Sequence, residues 1–322
     1  MYADLVWDWD EIEHRNFIDN LAPIVLFTYN RLDHTRQTVE ALRENVYAKD
    51  SLLFIFSDAP KNQQAMDSVQ NVREYLHSVD GFKEIQIIER KDNWGLARNI
   101  MDGVTSIVEQ YGKIIVLEDD IVTSKWFLKY MNDALELYKN NEQVMCISGY
   151  SFVNDSLRLS EACFLHWTSC WGWGTWNRAW KHFKREPEKL RDSIIAQDIY
   201  KINLDGTMPG CWQQVLDNCN GKIYTWAVFW HIAITLKLGL TLFPRNSLTN
   251  NIGMDGSGEH CGNTSIYTRI PATGCITTFP EKIVEDAEAR KKMKAFFKKS
   301  ELPRWYRWLQ KLKNMVGNSR NS

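Results

Sequence analysis

The sequence lacks several features that would place it outside the ordinary globular proteins. It has no apolar run of about 18 residues or more, so no membrane-spanning helix is expected. Its net charge of -1 provides no overall field that would attract nucleic acid. Its seven cysteines include no CxxC pair and are odd in number, so neither a zinc site nor a disulfide framework is expected. Reduced, mostly buried thiols are the expectation.

The chain also lacks an internal repeat and a low-complexity linker, which predicts one continuous globular unit. Residues 1–20 are acidic and carry no apolar signal-peptide core, so a cytoplasmic location is expected. We divide the chain into an N-terminal extension at 1–20, a domain at 21–280 and a basic tail at 281–322.

Short apolar runs alternate with helix-period segments over roughly the first 120 residues. Strands are predicted at Ile24–Thr28, Leu52–Phe56, Ile85–Ile88, Ile114–Leu117 and, later, Val144–Ser148 and Leu240–Phe243. Helices are predicted at Asp33–Glu44, Gln63–Ser78, Gly95–Gln110, Phe127–Tyr138 and Trp226–Leu238, with a loop at Asn246–Thr264. Near-continuous apolar strands that alternate with helices predict an α/β fold, a mostly parallel central sheet flanked by helices.

Each of the first four strands ends in polar residues. These residues are Thr28, Tyr29, Asn30 and Arg31; Asp58; Asn93 and Arg98; and Glu118, Asp119 and Asp120. Ligands of parallel α/β sheets bind at the carboxyl ends of the strands, so four polar ends in a row indicate a nucleotide site.

The acidic triplet Glu118-Asp119-Asp120 suits a metal that holds a diphosphate. Mn2+ or Mg2+ prefers carboxylate oxygens and needs only one or two of them when phosphates and water complete its shell. Such an ion would stabilise the charge of a departing nucleoside diphosphate. The plainer interpretation is a solvated acidic turn at a strand end.

The order of motifs resembles the GT-A-fold glycosyltransferases, in particular bacterial family 2-like transferases and N-acetylglucosaminyltransferase I. The motifs that carry the resemblance are Ala22–Arg31, Asn93-x-Gly95-x-Ala97-x-Asn99, Leu117–Asp120, Trp171–Trp176 and Asn250–His260. This resemblance covers residues 22 to 265, which is most of the chain.

The resemblance implies a role for each matched residue. Thr28, Tyr29, Asn30, Arg31 and Asp58 would line the nucleobase side, and Asn93 and Arg98 would face the ribose or diphosphate. Asp119 would contact ribose or sugar, Gly172, Trp173 and Gly174 would form the glycine loop near the donor sugar, and Asp120 and His260 would bind the metal. The Trp-rich stretch could instead be core packing, and His260 could be an ordinary loop residue.

One departure from the resemblance concerns the catalytic base. Inverting relatives carry an acid near the start of the helix that follows the glycine loop, where this chain has Ala227. Asp255 and Glu259 are the nearest replacements, and Asp205 and Asp217 are weaker ones. Asp255 could equally be a turn residue, because Asp-Gly pairs favour turns.

The resemblance implies a metal-dependent, inverting transferase that uses a nucleotide-diphosphate sugar, with UDP expected, in bacterial surface polysaccharide synthesis. The acceptor would be a saccharide or a polyprenyl-linked saccharide. Trp305, Trp308, Leu309 and Leu312 form a stripe in the basic tail, which suits either an anionic membrane surface or packing on the domain. Two alternatives remain: a sugar nucleotidyltransferase, although no glycine-rich basic signature follows the first strand, and a saccharide- or sugar-nucleotide-binding protein without transferase activity.

Overall fold

The computed structural model describes residues 11–152, 161–257 and 264–300. The strands in this part of the chain are β1 (Ile24–Thr28), β2 (Leu52–Ser57), β3 (Glu84–Glu89), β4 (Lys113–Glu118), β5 (Ile121–Thr123), β6 (Val144–Ser148), β7 (Ala162–Leu165), β8 (Trp173–Trp176), β9 (Leu240–Pro244) and β10 (Thr249–Asn251). The helices are α1 (Glu11–Asp19), α2 (Leu32–Arg43), α3 (Met66–Leu76), α4 (Leu96–Tyr111), α5 (Phe127–Leu137), α6 (Asn177–Trp180), α7 (Pro187–Ser193), α8 (Ala196–Ile202), α9 (Gly210–Cys219), α10 (Ala227–Leu236) and α11 (Ala287–Ser300).

Eight strands form one central sheet in the order β3-β2-β1-β4-β8-β6-β9-β7. Strands β3, β2, β1 and β4 are parallel, and β6 and β9 are parallel to each other. Strands β8 and β7 run antiparallel to their neighbours. The predicted α/β class with a mostly parallel central sheet is therefore confirmed, and the carboxyl ends of β1 to β4 lie along one edge.

The predicted strands and the longer helices are confirmed to within a few residues. The strands β5, β7, β8 and β10 and the helices α1 and α6 to α9 were not predicted, and β5 pairs with β10 in a small antiparallel sheet. Strand β10 lies inside the segment Asn246–Thr264, which was predicted as a loop. The sequence Thr249-Asn250-Asn251 has no apolar alternation, so its extended form depends on pairing with β5, a long-range contact.

Alternate side chains of the central strands pack into two apolar layers. Ile24 and Leu26 face the layer formed with α2, α3 and α5, whereas Val25 and Phe27 face the layer formed with α4, α6 and α10. The period of two explains why these strands are apolar on both faces. Two covered faces hold the strands, and with them the polar strand ends, in fixed positions.

The tryptophans of the second layer form a packed cluster. Trp173 of β8 is 1% exposed, and its ring lies 5.5 Å from that of Trp226 and 6.1 Å from that of Trp230. Trp180 joins the cluster at 5.1 Å from Trp230. Of the two interpretations of the Trp-rich stretch at 171–176, core packing therefore describes the Trp173 side chain.

Helix α11 packs on the domain although it begins the segment assigned to the tail. Its Ala289, Met293 and Phe297 are buried against Trp167 and Phe243. The amphipathic stripe that begins at Trp305 lies outside the described residues. Within the described part, no helix combines the length and apolarity needed to cross a membrane.

Replacing Phe297 with Ala should lower the free energy of unfolding by about 3 kcal/mol, the low end of the range for replacing a buried Phe with Ala. The reason is that the Phe297 ring is buried 4.8 Å from Phe152 and 5.3 Å from Trp167. Urea unfolding measures the effect, and Lys298→Ala on the exposed side of α11 is the matched control. Equal stability of the two variants would contradict the packing of α11 described above.

Candidate functional site

The acidic triplet lies at the carboxyl end of β4, in the turn that leads into β5. The Asp119 and Asp120 side chains are buried, whereas Glu118 is partly exposed. The turn is held from two sides: the Thr38 hydroxyl donates to the Asp119 carbonyl at 2.9 Å, and the Ile252 amide donates to the Asp120 carbonyl at 2.9 Å. The backbone of the triplet is therefore fixed by α2 and by the segment after β10.

Arg31 binds two of the three acids. It follows β1 directly, and its Nη2 donates to Asp119 Oδ1 and, at 2.8 Å, to Asp120 Oδ2. Burial alone would lower the pKa of Arg31, but the charges of Asp119 and Asp120 outweigh it and raise that pKa above its ordinary value. Arg31 is therefore a permanent cation between the ends of β1 and β4.

The third acid, Glu118, has no hydrogen bond or ion pair to any described residue. Burial, reinforced by the charges of Asp120 and Asp119, raises the pKa of Glu118 to about 8. Burial also raises the pKa of Asp119 to about 6, although Arg31 opposes the shift. One guanidinium thus faces three carboxyl groups, and the site favours either protons or an additional cation.

Gly253 lies directly against Asp120 of the triplet. A Cβ at this position would overlap the Asp120 carboxylate and lie 2.9 Å from Arg31 Nη1. The Gly253 amide donates to Asn251 Oδ1 at 2.8 Å, which ties the glycine to β10. The segment after β10 therefore covers Asp120, and only glycine fits there.

Asp255 reaches the same site through this segment. Its Oδ2 lies 3.1 Å from Nε2 of His34, near the start of α2, and Ser257 donates to its Oδ1 from both its amide and its hydroxyl. The hydrogen bonds from Ser257 lower the pKa of Asp255 to about 2. The side chain remains 48% exposed, so it is an ionised carboxylate open to solvent beside the triplet.

His34 was not predicted as a site residue. It lies in the first turn of α2, three residues after Arg31, and its side chain is 17% exposed. Only the fold of the segment after β10 brings Asp255 to it, and no spacing in the sequence indicates that contact.

Asp58 organises the loop after β3. Its Oδ1 accepts from the amides of Ala59 and Trp94 at 2.9 Å, and its Oδ2 accepts from the Gly95 amide at 2.8 Å and from Asn93 Nδ2 at 3.2 Å. Asp58 is buried and both oxygens are occupied. The structure therefore gives this carboxylate the task of holding residues 93–95 at the start of α4.

Arg98 lies exposed in the first turn of α4, where this loop delivers it. Its guanidinium stacks on the Trp94 ring at 4.1 Å, and Arg90 stacks on the same ring at 3.8 Å. The Trp94 ring therefore contacts two guanidinium groups at the carboxyl ends of the strands. Arg90 is engaged with Asn99 and Asp102, which leaves Arg98 as the more open of the two.

The residues predicted after β1 also lie at this edge. Thr28 is buried, and its hydroxyl has no hydrogen-bond partner among the described residues. Tyr29 and Asn30 are partly exposed, and the Tyr29 hydroxyl accepts from the Lys61 amide at 3.0 Å. Tyr29 therefore links the end of β1 to the segment after β2.

The predicted glycine loop divides between the edge and the core. Trp173 pairs in register with Val116 of the antiparallel β4, so Gly172 lies near the carboxyl end of β4. Gly172 has φ +76°, and a Cβ at this position would meet Thr249 at 2.9 Å and Phe127 at 3.2 Å. Gly174 lies within the sheet, where a Cβ would meet the Ile114 carbonyl at 3.1 Å. The structure thus assigns packing roles to Gly174 and to the Trp173 side chain.

Several candidates are engaged elsewhere or lie outside the described residues. Asp205 accepts from Arg290 at 2.7 Å and from Lys294 at 3.1 Å on α11, and Asp217 pairs with Lys222 at 3.4 Å. Glu259 and His260 fall in the segment 258–263, outside the described residues. Among the residues described, no group of three His, Cys, Asp or Glu side chains is arranged to hold a metal ion.

Comparison with known proteins gives similarity to glycosyltransferase structures. No family model matches the chain, and no curated protein matches it in sequence. It is similar to the mannosyltransferase PcManGT from Pyrobaculum calidifontis in complex with GDP-Man and Mn2+, with 9% identity, TM-score 0.38, and coverage of 68% of this chain and 70% of that one. It is also similar to S. aureus TarS, with 14% identity, TM-score 0.34, and coverage of 59% of this chain but only 33% of TarS.

The pKa of Glu118 predicts a pH-dependent stability in metal-free buffer. The folded chain keeps a proton on Glu118 up to about pH 8, whereas the unfolded chain releases it near 4.5. The loss of folding stability that comes from ionising Glu118 in the folded chain is therefore absent below pH 4.5, grows as the pH rises, and is complete above pH 8. Glu118→Gln should gain stability relative to the wild type between pH 5 and pH 8.

Urea unfolding at several pH values with a chelator present tests this expectation. Glu109→Gln, at an exposed position of α4, is the control and should show a constant difference from the wild type. A Glu118→Gln difference that is equal at pH 5 and pH 8 would show that Glu118 ionises normally.

Proposed function

We propose that this protein is a glycosyltransferase that uses a nucleotide-diphosphate sugar. The observation that carries the proposal is the cluster at the carboxyl ends of β1 and β4, where Arg31 bridges Asp119 and Asp120 beside an unpartnered Glu118. Carboxylates and a fixed cation at the edge of a mostly parallel sheet suit a diphosphate ligand with its metal. The motif resemblance in the sequence supports the same activity.

A divalent ion, Mn2+ or Mg2+, fits the donor set of this cluster. The carboxylates of Asp119 and Asp120 face one guanidinium, and Glu118, which has no partner among the described residues, would add a third carboxylate when an ion replaced its proton. Asp120 Oδ2 is bonded to Arg31 and covered by Gly253, so it would bind an ion only after a shift of Arg31. When bound, the ion would supply Lewis-acid stabilisation of the leaving diphosphate.

The chain's own cations would handle the phosphates. Arg31, released in part from Asp120, can donate to a phosphate oxygen while it keeps its bond to Asp119. Arg98 is exposed on its Trp94 support and can approach from the start of α4. Arg31 and Arg98 would together orient the diphosphate before transfer and stabilise the negative charge that develops on it in the transition state.

Asp255 is the residue that we propose as the base for the acceptor hydroxyl. It is exposed, ionised and held beside the triplet by His34 and Ser257, so it can take the place of the acid missing at Ala227. Its low pKa limits its strength as a base but keeps it ionised across the physiological pH range. Direct attack by the acceptor would invert the anomeric carbon.

The finer details of the proposal come from the resemblance. They are UDP as the nucleotide, a saccharide or polyprenyl-linked saccharide as the acceptor, and bacterial surface polysaccharide synthesis as the setting. The basic tail beyond residue 300 would then hold the enzyme at the inner face of the membrane, where such acceptors lie.

Replacing Asp120 with Asn should reduce metal-dependent release of nucleoside diphosphate by on the order of 10²-fold or more, because one charge that would hold the metal is removed. The assay is a screen of sugar nucleotides with Mn2+ and Mg2+, in which product nucleotide is quantified. Asp80→Asn is the control, since Asp80 is 83% exposed and pairs with Arg43 at the surface. Turnover by Asp120→Asn at the wild-type rate would rule out this metal role.

Replacing Asp255 with Asn should reduce kcat by on the order of 10²-fold or more while donor binding is kept, because the base is lost. Donor binding is measured by calorimetry with the nucleotide and Mn2+, and kcat by transfer to an acceptor. Asp192→Asn, at a surface pair with Arg191, is the control. A near-normal kcat would direct the search to Glu259.

The alternative is a binding protein that recognises a sugar nucleotide without consuming it, and the observation in its favour is Ala227 at the start of α10. The donor screen separates the two. A wild-type protein that binds nucleotide and metal but releases no product with any donor would favour the binding protein.

A further inference from the structure

A polar cleft lies on the helical side of the molecule, outside the acidic site. It has a volume of about 560 Å³ and lies between residues 185–189, at the start of α7, and residues 218–224, which join α9 to α10. We call it the Arg185 cleft. None of its residues was predicted as a site residue from the sequence, and none takes part in the site described above.

Arg185 forms a rigid floor in this cleft. Its Nε donates to the Thr225 carbonyl at 2.9 Å, and its Nη2 donates to Asn218 Oδ1 at 2.7 Å. Its guanidinium lies 3.6 Å from the centre of the Tyr224 ring and 5.5 Å from that of the buried Phe229. Hydrogen bonds and ring contacts therefore hold the guanidinium group in place, and this group covers one face of the Tyr224 ring.

Tyr224 is an exposed aromatic ring in a fixed position. It remains 55% exposed although Arg185 covers one of its faces. A ring that is already ordered loses little conformational entropy when a ligand stacks on it. The C–H face of a sugar ring is a suitable partner for an aromatic face, which carries partial negative charge.

Two of the three cations around Tyr224 are ion-paired, and the remaining charges of the lining, Arg185 and Glu188, are opposite in sign. Lys189 contacts Glu186 at 3.0 Å, and Lys222 contacts Asp217 at 3.4 Å. The lining therefore offers donors and acceptors for hydroxyl groups without a strong field of either sign. That combination favours a neutral polyhydroxyl ligand over a nucleic acid or a phosphate.

Tyr224 of the cleft lies just before the start of α10, and the strand directions place that start on the same side of the sheet as the acidic triplet. Strand β9 follows α10 after a short turn and is parallel to β6, which is antiparallel to β8, itself antiparallel to β4. Helix α10 therefore ends near the amino ends of these strands and begins near their carboxyl ends. Trp226, two residues after Tyr224, packs on Trp173 at 5.5 Å, next to β4.

We propose that the Arg185 cleft is a saccharide-binding subsite, in which Tyr224 stacks on a sugar ring of the acceptor glycan. The identification of the glycan as the acceptor rests on the proposed function, whereas saccharide binding rests on the geometry of the cleft alone. A bound glycan would lie over the start of α10 and extend along the carboxyl edge towards the acidic triplet.

Binding to oligosaccharides of glucose, mannose, galactose and N-acetylglucosamine tests the proposal in the absence of any donor. Saturation-transfer NMR identifies the oligosaccharides that bind the full chain, and calorimetry gives their Kd. Tyr224→Ala should weaken binding by about tenfold or more, as loss of an aromatic anchor does, whereas Tyr224→Trp should retain it. Tyr200→Ala is the matched control, because Tyr200 is also 55% exposed and lies on α8, outside the cleft.

The outcomes separate this inference from the proposed function. Wild-type affinity in Tyr224→Ala, or no saturable binding of any tested oligosaccharide to the wild type, would overturn the subsite. Donor hydrolysis by the wild type, measured without any oligosaccharide, reports on the acidic site alone. Saccharide binding that depends on Tyr224 in a protein that consumes no donor would support the cleft and refute the transferase.

Discussion

The ion-pair bridge from Arg31 to Asp119 and Asp120 is the interaction on which the rest of the site depends. Two buried carboxylates at adjacent positions are unfavourable unless a cation or protons compensate them. Arg31 supplies that cation because β1 and β4 are neighbouring parallel strands in which Phe27 pairs with Glu118, so the side chain of residue 31, beyond the end of β1, reaches residues 119 and 120. The bridge thereby fixes the direction of both strand ends. It leaves Glu118 uncompensated, so the site carries an affinity for positive charge that its own residues do not satisfy.

The segment after β10 is arranged around this bridge. Asn251 pairs with Ile121, the Ile252 amide bonds the Asp120 carbonyl, and Gly253 lies against the Asp120 carboxylate. Each contact needs the preceding one in place, and the last of them delivers Asp255 to His34. A residue almost 140 positions after the triplet therefore reaches it by a short antiparallel pairing. We propose that this carboxylate, on a different element, takes the role of the acid that the chain lacks at Ala227.

Strong local patterns made the first half of the chain predictable. The runs Ile24–Thr28 and Val144–Ser148 are apolar up to their last residue because both faces of the sheet are covered, and each matches its observed strand. The candidate site residues that follow such strands were predicted for the same reason, since a strand end marks the carboxyl edge of the sheet. The role of Asp58 was not evident, because three of the four hydrogen bonds that its two carboxylate oxygens accept come from residues 93–95, before the start of α4. The motif resemblance placed Trp173 in the glycine loop, whereas its side chain packs in the core beside Trp226.

The two halves of the sheet depend on different forces. In β1 to β4 the ends are organised by charge, through Arg31 and Asp58, on a backbone set by parallel pairing. From β8 onward the order depends on large rings, with Trp173 at the junction, in register with Val116 of β4 and packed against Trp226 at the start of α10. A charged site needs particular residues at particular positions, so a sequence motif can identify it. Ring packing tolerates many arrangements and therefore has no fixed spacing in the sequence. The cleft at Arg185 and Tyr224 lies at the end of this ring-packed half, so its presence follows from the fold rather than from a motif.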